Sequence, residues 1–428
     1  MARPRKYKEW TKLDNAAKIF PCTCDKRDPK VFRFVCELKE AVQPAVLQEA
    51  LDRTLQDYRG YLTVMKHGFF WYYLEATDLR PEVHVENTQI CSPLYDKNES
   101  SLLFDVSYFG SRINFEIFHA LTDGTGALEF LRQLTCSYLA LAYPEVLKDV
   151  PKFSGCGASV TEKMEDSFQK YYDPKRKKGT KKIFAYRVKG ARLPENLVKV
   201  VEGVMPVDKL LALAREHNTT MTILLTAVFI LAIHENRSVR ERKKPISISV
   251  PVNLRKYFAS DSARNFFSVI HIFYTFKEGK TELTEVIASV SEQLKKHLTV
   301  EKLSETINSY VSIEKNAAIR VVPLAIKDFV MRQAYKWNEL SVTGSFSNIG
   351  VVKLPPEYAK YVNMIDVMTS TKKLQVCMGS FENNLVVNFT DSFVSTDIQK
   401  YFFRMLSKMG IPIEIISNPL FEEGGRKL

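Results

Sequence analysis

The sequence predicts an α/β protein built as two halves of comparable size. Two observations carry this prediction, and the length agrees with it. Segments with alternating apolar residues are interleaved with segments of helical spacing along most of the chain. The pattern dissolves once, between Pro151 and Pro194, which reads as the connection between the halves. At roughly 100 to 200 residues per domain, 428 residues hold two to four domains. No short-period repeat or low-complexity tract interrupts the alternation.

Residues 31–39 alternate as a strand, and Pro44 then opens a helix with Val46, Leu47, Ala50, Leu51 and Leu55 on one face. An aromatic strand is expected over Gly68–Leu74. Leu102–Phe109 and Ile113–Phe118 form a hairpin around Gly110, with Ile113, Phe115 and Ile117 on one side. Helical spacing resumes at Ala127, Leu128, Leu131, Leu134, Tyr138 and Leu139 and stops at Pro144. Boundaries follow at 1–174, 175–194 and 195–428, the middle piece being a linker that begins with the run Lys175 to Lys182. That run reads as a solvated basic loop, with contact to an acidic partner or a phosphate as the alternative.

In the second half Asp208 is placed to cap a helix carrying Leu210, Leu211, Leu213 and Ala214, and Thr219 or Thr220 to cap the next. That next helix, about 13 residues from Met221 to Ile233, is the longest apolar run and falls short of the roughly 20 needed to span a bilayer, so it reads as a buried core helix. Strands are expected at Ile246–Val252 and Phe266–Phe276, a helix at Leu283–Leu298, and strands at Val342–Phe346, Val367–Met378 and Leu385–Phe389, the last two joined by a turn through Glu382–Asn384.

Composition narrows the function. With 45% hydrophobic and 26% charged residues and only 17 Gly and 18 Pro, the chain is neither collagen-like nor largely disordered. Sixty-one Lys and Arg against 49 Asp and Glu give a net charge of +12, which favours anionic partners. The basic start runs into polar residues, so it does not read as a secretory signal, and a cytoplasmic location is expected. Seven scattered cysteines suit a reducing compartment, and Cys22-x-Cys24 has no second pair at zinc-ligand spacing, so no metal site is expected. P-loop, Rossmann, zinc-protease and serine-hydrolase signatures fail when tested; Gly124-Thr125-Gly126, for instance, is followed by Glu129 where a third Gly is needed. Nucleic-acid binding has only the charge in its favour, with no helix-turn-helix, zinc-finger or RNP-like motif.

What stands out is Phe118-His119-Ala120-Leu121-Thr122-Asp123-Gly124, at a strand exit and a helix entrance. A histidine there holds one ring nitrogen toward a cleft. With an ordinary pKa of about 6.5 it can take a proton from an alcohol or amine that attacks a carbonyl and later give one to a leaving group. A carboxylate four residues on lies on the same bend and influences the shape of the loop. The bland alternative is a hydrogen-bonded histidine beside a turn.

This segment resembles the HHxxxDG signature of the chloramphenicol acetyltransferase-like superfamily, which includes peptide condensation domains, plant acyltransferases and alcohol O-acetyltransferases. Pro251-Val252-Asn253-Leu254-Arg255 is similar to the P-V-N-x-R element of its second half, and Asn265-Phe266-Phe267 follows as it often does. Phe346-Ser347-Asn348-Ile349-Gly350 resembles the late S-N-x-G segment. The opening from Trp10 to Pro21, with Leu13-Asp14-Asn15-Ala16-Ala17-Lys18, is similar to free-standing bacterial alcohol acetyltransferase-like proteins. Phe118 stands where many relatives carry a first histidine, which tells against the peptide-forming branch, and the lack of D-F-G-W-G tells against the plant branch.

The resemblance implies two subdomains, each a mixed sheet flanked by helices, around a central tunnel. It implies His119 as general base with Asp123 and Gly124 completing the motif, Asp123 pointing away from substrate to pair with Arg255, and Asn253 supporting the site. An oxyanion donor is needed, and Ser347 or Asn348 is one candidate for it or for a substrate contact, with a backbone N–H or a water as the equal alternative. The expected reaction moves an acyl group from an acyl-coenzyme A, or from an acidic carrier protein, to a small alcohol, with a small amine as acceptor in the amide-forming alternative and no tightly bound cofactor. The alternatives are an amide-forming N-acyltransferase and an inactive binding or assembly module. Contact of the basic, Trp-containing N-terminal segment with a membrane surface is a further expectation.

Overall fold

The structure, a computed structural model, describes residues 9–151, 153, 165–173, 183–195, 197–279 and 281–418. Its strands in chain order are β1 (Trp10–Lys12), β2 (Val31–Leu38), β3 (Thr63–His67), β4 (Tyr72–Ala76), β5 (His84–Val85), β6 (Phe104–Phe109), β7 (Arg112–Phe118), β8 (Lys199–Pro206), β9 (Ile246–Asn253), β10 (Phe267–Tyr274), β11 (Gly344–Val352), β12 (Val362–Thr369), β13 (Leu374–Phe381), β14 (Asn384–Asp391) and β15 (Glu414–Ser417).

The first half is a five-stranded sheet in the order β12-β2-β7-β6-β5, antiparallel except for the β5–β6 pair. Ile113, Phe115 and Ile117 of β7 are fully buried, as the alternation requires, beneath the helices Pro44–Asp57 and Gly124–Ala142. The intervening Asn114 and Glu116 are buried too. They face a polar layer in which Arg33 donates to Glu116 at 2.7 Å. The second half is a seven-stranded mixed sheet in the order β10-β9-β11-β13-β14-β8-β15, with β11 parallel to both neighbours. Its core takes in residues of the helices Val207–Glu216, Met221–Glu235, Leu283–His297 and Asp397–Lys408. The Met221–Glu235 helix is buried from Leu224 to Ile233, and Thr220 caps it by accepting from the Ile223 amide at 3.3 Å.

Several expectations are corrected. Only the end of the strand expected over Gly68–Leu74 is strand: Tyr72–Leu74 open β4, while Gly68–Trp71 is a hairpin tip in which the Gly68 amide closes a turn onto the Trp71 carbonyl at 2.8 Å, leaving Phe69 and Phe70 exposed between β3 and β4. Val367–Met378 is two strands in different sheets. The chain turns away at Ser370–Lys373, so β12 completes the first sheet beside β2, and β13 returns to the second. Each sheet is therefore a product of distant sequence. Asp208 sits inside its helix without capping it; Asn383 of the β13–β14 turn accepts from the Asp208 amide instead, at 3.1 Å.

The supposedly patternless stretch 151–194 contains a short helix, Ser167–Lys170. Its Phe168 is fully buried against Phe266, Leu303 and Ile307. The basic run 175–182 lies outside the described residues, while Ala185 and Tyr186 are buried, with the Tyr186 amide donating to the Pro245 carbonyl at 2.7 Å. Two further helices, Val300–Lys315 and Leu324–Glu339, have no counterpart in the sequence-based expectations. No single described helix is long and apolar enough to cross a membrane.

Candidate active site

The seam between the halves is closed by hydrogen bonds around the loop that leaves β7. Asp123 ends that loop and caps the Gly124–Ala142 helix, its Oδ1 accepting from the amides of Thr125 at 3.0 Å and Gly126 at 3.1 Å. Its other oxygen faces the second half, where it accepts from Arg255 at 2.7 Å and from the Phe266 amide at 2.8 Å. Both Asp123 oxygens are thus engaged by groups other than the His119 imidazole, and Asp123 serves as a clasp. The Arg255 fork is completed by the carbonyls of Ser262 and Arg264. Asn253 accepts from the Arg255 amide and donates to the Thr125 hydroxyl, each at 3.0 Å, so it spans the same seam.

His119 lies where β7 ends, its amide held by the Lys30 carbonyl at 2.8 Å. Its ring is enclosed by aromatics: Phe20 stacks on it at 4.3 Å, and Phe32 and Phe267 lie at 4.9 and 5.5 Å. Burial in this setting holds its pKa below the ordinary histidine value, so the imidazole is neutral at pH 7. Its Nδ1 lies 3.1 Å from Asn265 Oδ1. The orientation of that amide is fixed by its other partners. Asn265 Nδ2 lies 3.1 Å from the His119 carbonyl and 3.1 Å from Asp14 Oδ2, and a carbonyl oxygen only accepts. Oδ1 must then face the ring, Nδ1 carries the hydrogen, and the lone pair is on Nε2. Nε2 has no hydrogen-bond partner among the described residues.

Asp14 anchors this chain of contacts. It is fully buried, accepts from the Ala17 amide at 2.7 Å, and lies 3.6 Å from Arg264. Burial raises its pKa, opposed by Arg264 and the surrounding amide donors.

The glycines divide differently from the motif-based expectation. A side chain at Gly124 would meet nothing within 4 Å, whereas a Cβ at Gly126 would fall 2.2 Å from both the Ala263 carbonyl and the Thr122 hydroxyl. Close packing across the seam therefore depends on Gly126. Ser347 and Asn348 lie on β11 and are not joined to His119 by any hydrogen bond. The Asn348 amide is engaged by the Thr222 hydroxyl at 2.8 Å and the Gly350 amide at 2.7 Å. Asn348 is thus committed to shaping the β11 bulge. Two cavities, of about 480 Å³ near Lys199 and Phe403 and about 460 Å³ beside Phe329 and Trp337, lie away from His119, and neither is the central tunnel that the resemblance implies. Among the described residues no group of three or more His, Cys, Asp or Glu side chains is placed to hold a metal ion.

Asn265 and Asp14 are the residues that sequence reasoning left without a role. Asn265 stands 146 residues after His119 and 251 after Asp14, so no local spacing links them. The only signal was their position inside two of the resembling segments.

The fold matches solved structures along nearly the whole chain. Polyketide synthase associated protein 5 from Mycobacterium tuberculosis has a TM-score of 0.60 at 12% identity, covering 93% of this chain and 97% of that one. Trichothecene 15-O-acetyltransferase from Fusarium sporotrichioides has a TM-score of 0.58 at 13% identity, covering 94% of each. The first condensation domain of the calcium-dependent antibiotic synthetase has a TM-score of 0.63 at 15% identity, covering 95% and 99%. At these identities the likeness is one of fold. No curated protein matches by sequence. The family model for alcohol acetyltransferases matches residues 161–397, more than half of the chain, beginning after the His119 loop and taking in Arg255, Asn265 and β11. By that match the chain belongs to the alcohol acetyltransferase family.

Proposed function

We propose that the chain transfers an acyl group from an acyl-coenzyme A or carrier-bound thioester to the hydroxyl of a small alcohol, with His119 as general base. The observation that carries this reading is the fixed tautomer of a partly buried, neutral imidazole, with Asn265 on Nδ1 and a free lone pair on Nε2. Nε2 takes the hydroxyl proton as the oxygen attacks the thioester carbonyl. The tetrahedral intermediate collapses with cleavage of the C–S bond, and the imidazolium returns the proton to the departing thiolate. No acyl-enzyme is formed and no cofactor is consumed.

Asp123, Arg255 and Asn253 act by holding the loop across the seam, so that the base keeps its place relative to a substrate bound between the halves. The chain's net charge of +12 suits a phosphorylated donor or an acidic carrier.

The test is thiol release from acyl-coenzyme A donors of increasing length with a panel of alcohols and amines. Release that requires an acceptor and falls on the order of 10²- to 10⁴-fold in His119→Ala supports the proposal. Equal release by both proteins, or silence from a folded wild type with coenzyme A and carrier donors alike, removes it. Amines outpacing alcohols would convert it to amide formation.

A further inference from the structure

The helix Leu324–Glu339 is mounted inside out. The side chains it buries are Lys327 and Asp328, while Ile326 is 54% exposed, Phe329 61%, Val330 57% and Trp337 59%. Their spacing of i, i+3, i+4 and i+11 places them on one face, over roughly 16 Å of helix at 1.5 Å per residue. The charged side is what fastens the helix to the protein. Lys327 donates to the carbonyls of Phe70 and Arg320, both at 3.2 Å, and lies 3.6 Å above the Trp71 ring. Asp328 accepts from the Tyr72 hydroxyl at 2.5 Å, and Arg332 reaches the Cys22 carbonyl at 3.0 Å.

The apolar face continues beyond the helix. The Leu324 amide donates to the Phe69 carbonyl at 2.9 Å, which sets the β3–β4 tip, with Phe69 70% exposed and Phe70 and Trp71 partly so, at the helix N-terminus. Val321 is exposed just before it. Soluble surfaces seldom leave so many large apolar side chains together without a partner.

The charges choose the partner. Between Ala317 and Leu340 the acidic residues are Asp328, buried against Tyr72 and near Lys97, and Glu339, paired with Lys373 at 3.0 Å. The exposed charges of that stretch, Arg320, Arg332 and Lys336, are all cationic. Large apolar side chains with Trp among them, rimmed by Lys and Arg and lacking free carboxylates, suit the headgroup zone of an anionic bilayer. We propose that this face, from Phe69 through Ile326, Phe329 and Val330 to Trp337, docks the protein on an anionic lipid surface. The same helix contacts the Cys22 carbonyl, two residues from the Phe20 ring on His119, so docking brings the His119 loop close to the membrane. This differs from the expected N-terminal contact, whose first eight residues lie outside the described ones.

The experiment is co-sedimentation of the full chain with vesicles of phosphatidylcholine alone or with about one-third phosphatidylglycerol, for wild type, Lys336→Glu, and the double variant Phe329→Glu with Trp337→Glu. Expected are binding to the anionic vesicles, a loss of about tenfold or more in the double variant, and a smaller loss in Lys336→Glu and in high salt. Hydrogen exchange of wild type with anionic vesicles should protect the segments around 69–71 and 324–339, a readout that stands even if a variant fails to fold. Wild type that ignores both vesicles, a folded double variant that binds as wild type does, or protection elsewhere would overturn the proposal. So would a concentration-dependent dimer, without vesicle binding, that the double variant disrupts. Docking does not rest on the acyltransferase reading. Vesicle binding without thiol release leaves this surface standing and removes that reading, and thiol release without vesicle binding does the reverse.

Discussion

The interiors of the two halves and the seam between them are held by different physics. Each interior is apolar: Phe115, Phe130 and Leu51 under the first sheet, and Phe229, Phe389 and Phe402 under the second, are fully buried. The seam is polar and closed one hydrogen bond at a time, through Asp123–Arg255, Asn253–Thr125, Thr122 to the Ala263 carbonyl, Arg264 to the Lys12 carbonyl, and Asn265 between His119 and Asp14. Apolar burial is non-directional and tolerates small shifts, so it stabilises a fold without fixing an atom. Buried polar contacts are costly when left unmade and fix orientation when made, which is what a proton-transferring imidazole needs.

The largest effect expected from this contrast is that of Asp123→Ala. It removes a helix cap and leaves Arg255 in a buried fork without its carboxylate, for a loss of about 3 to 5 kcal/mol. Phe229→Ala in the second core should cost a similar amount, about 3 to 5 kcal/mol. Denaturant unfolding measures both. The difference should appear in kinetics below the melting range, where folded Phe229→Ala retains its kcat and folded Asp123→Ala does not. If both retain it, the seam has no special role.

Next comes Gly126→Ala, expected to be destabilising because the new carbon falls on the Ala263 carbonyl, whereas Gly124→Ala should stay within about 1 kcal/mol of wild type. Thermal denaturation of the pair separates close packing from motif membership. Asn265→Ala should lower kcat on the order of 10- to 100-fold with little change in KM, through loss of the fixed tautomer. For wild type, activity should fall as pH drops through a value below the ordinary 6.5, because burial holds the imidazole neutral. An acid limb above 7 would contradict this environment for His119.

The smallest effect concerns Glu202, on β8 beside Asp366 of β12. Burial and the neighbouring carboxyl raise its pKa to about 8. A carboxyl whose folded pKa lies above its unfolded one binds more protons when folded, so stability falls as pH rises from about 4.5 to about 8. Glu202→Gln should remove that fall, raising Tm by about 2 °C or more at pH 8.5 relative to wild type, with little difference at pH 4. Parallel Tm curves for the two proteins would show that the carboxyl ionises normally.

How much was legible follows the range of the interactions. The helices Pro44–Asp57 and Met221–Glu235, the β6–β7 hairpin and the loop carrying His119 came directly from the order of residues, because periodicity, caps and turns act over a few positions. The run Val367–Met378 misled for the same reason. Its apolar composition suits a strand throughout, and nothing local says that its two ends pair in different sheets. Asn265 reaches His119 from 146 residues away, and the helix Leu324–Glu339 turns its apolar face outward because Lys327 and Asp328 find partners on the β3–β4 tip.

The sequence alone determined the α/β alternation, the central break in pattern and the presence of a histidine and a carboxylate on one bend. The tertiary structure decided which strand completes which sheet, which nitrogen of His119 is free and which face of a helix meets solvent. Those outcomes depend on pairings between distant segments, and a pairing at long separation leaves no periodic trace in the order of residues.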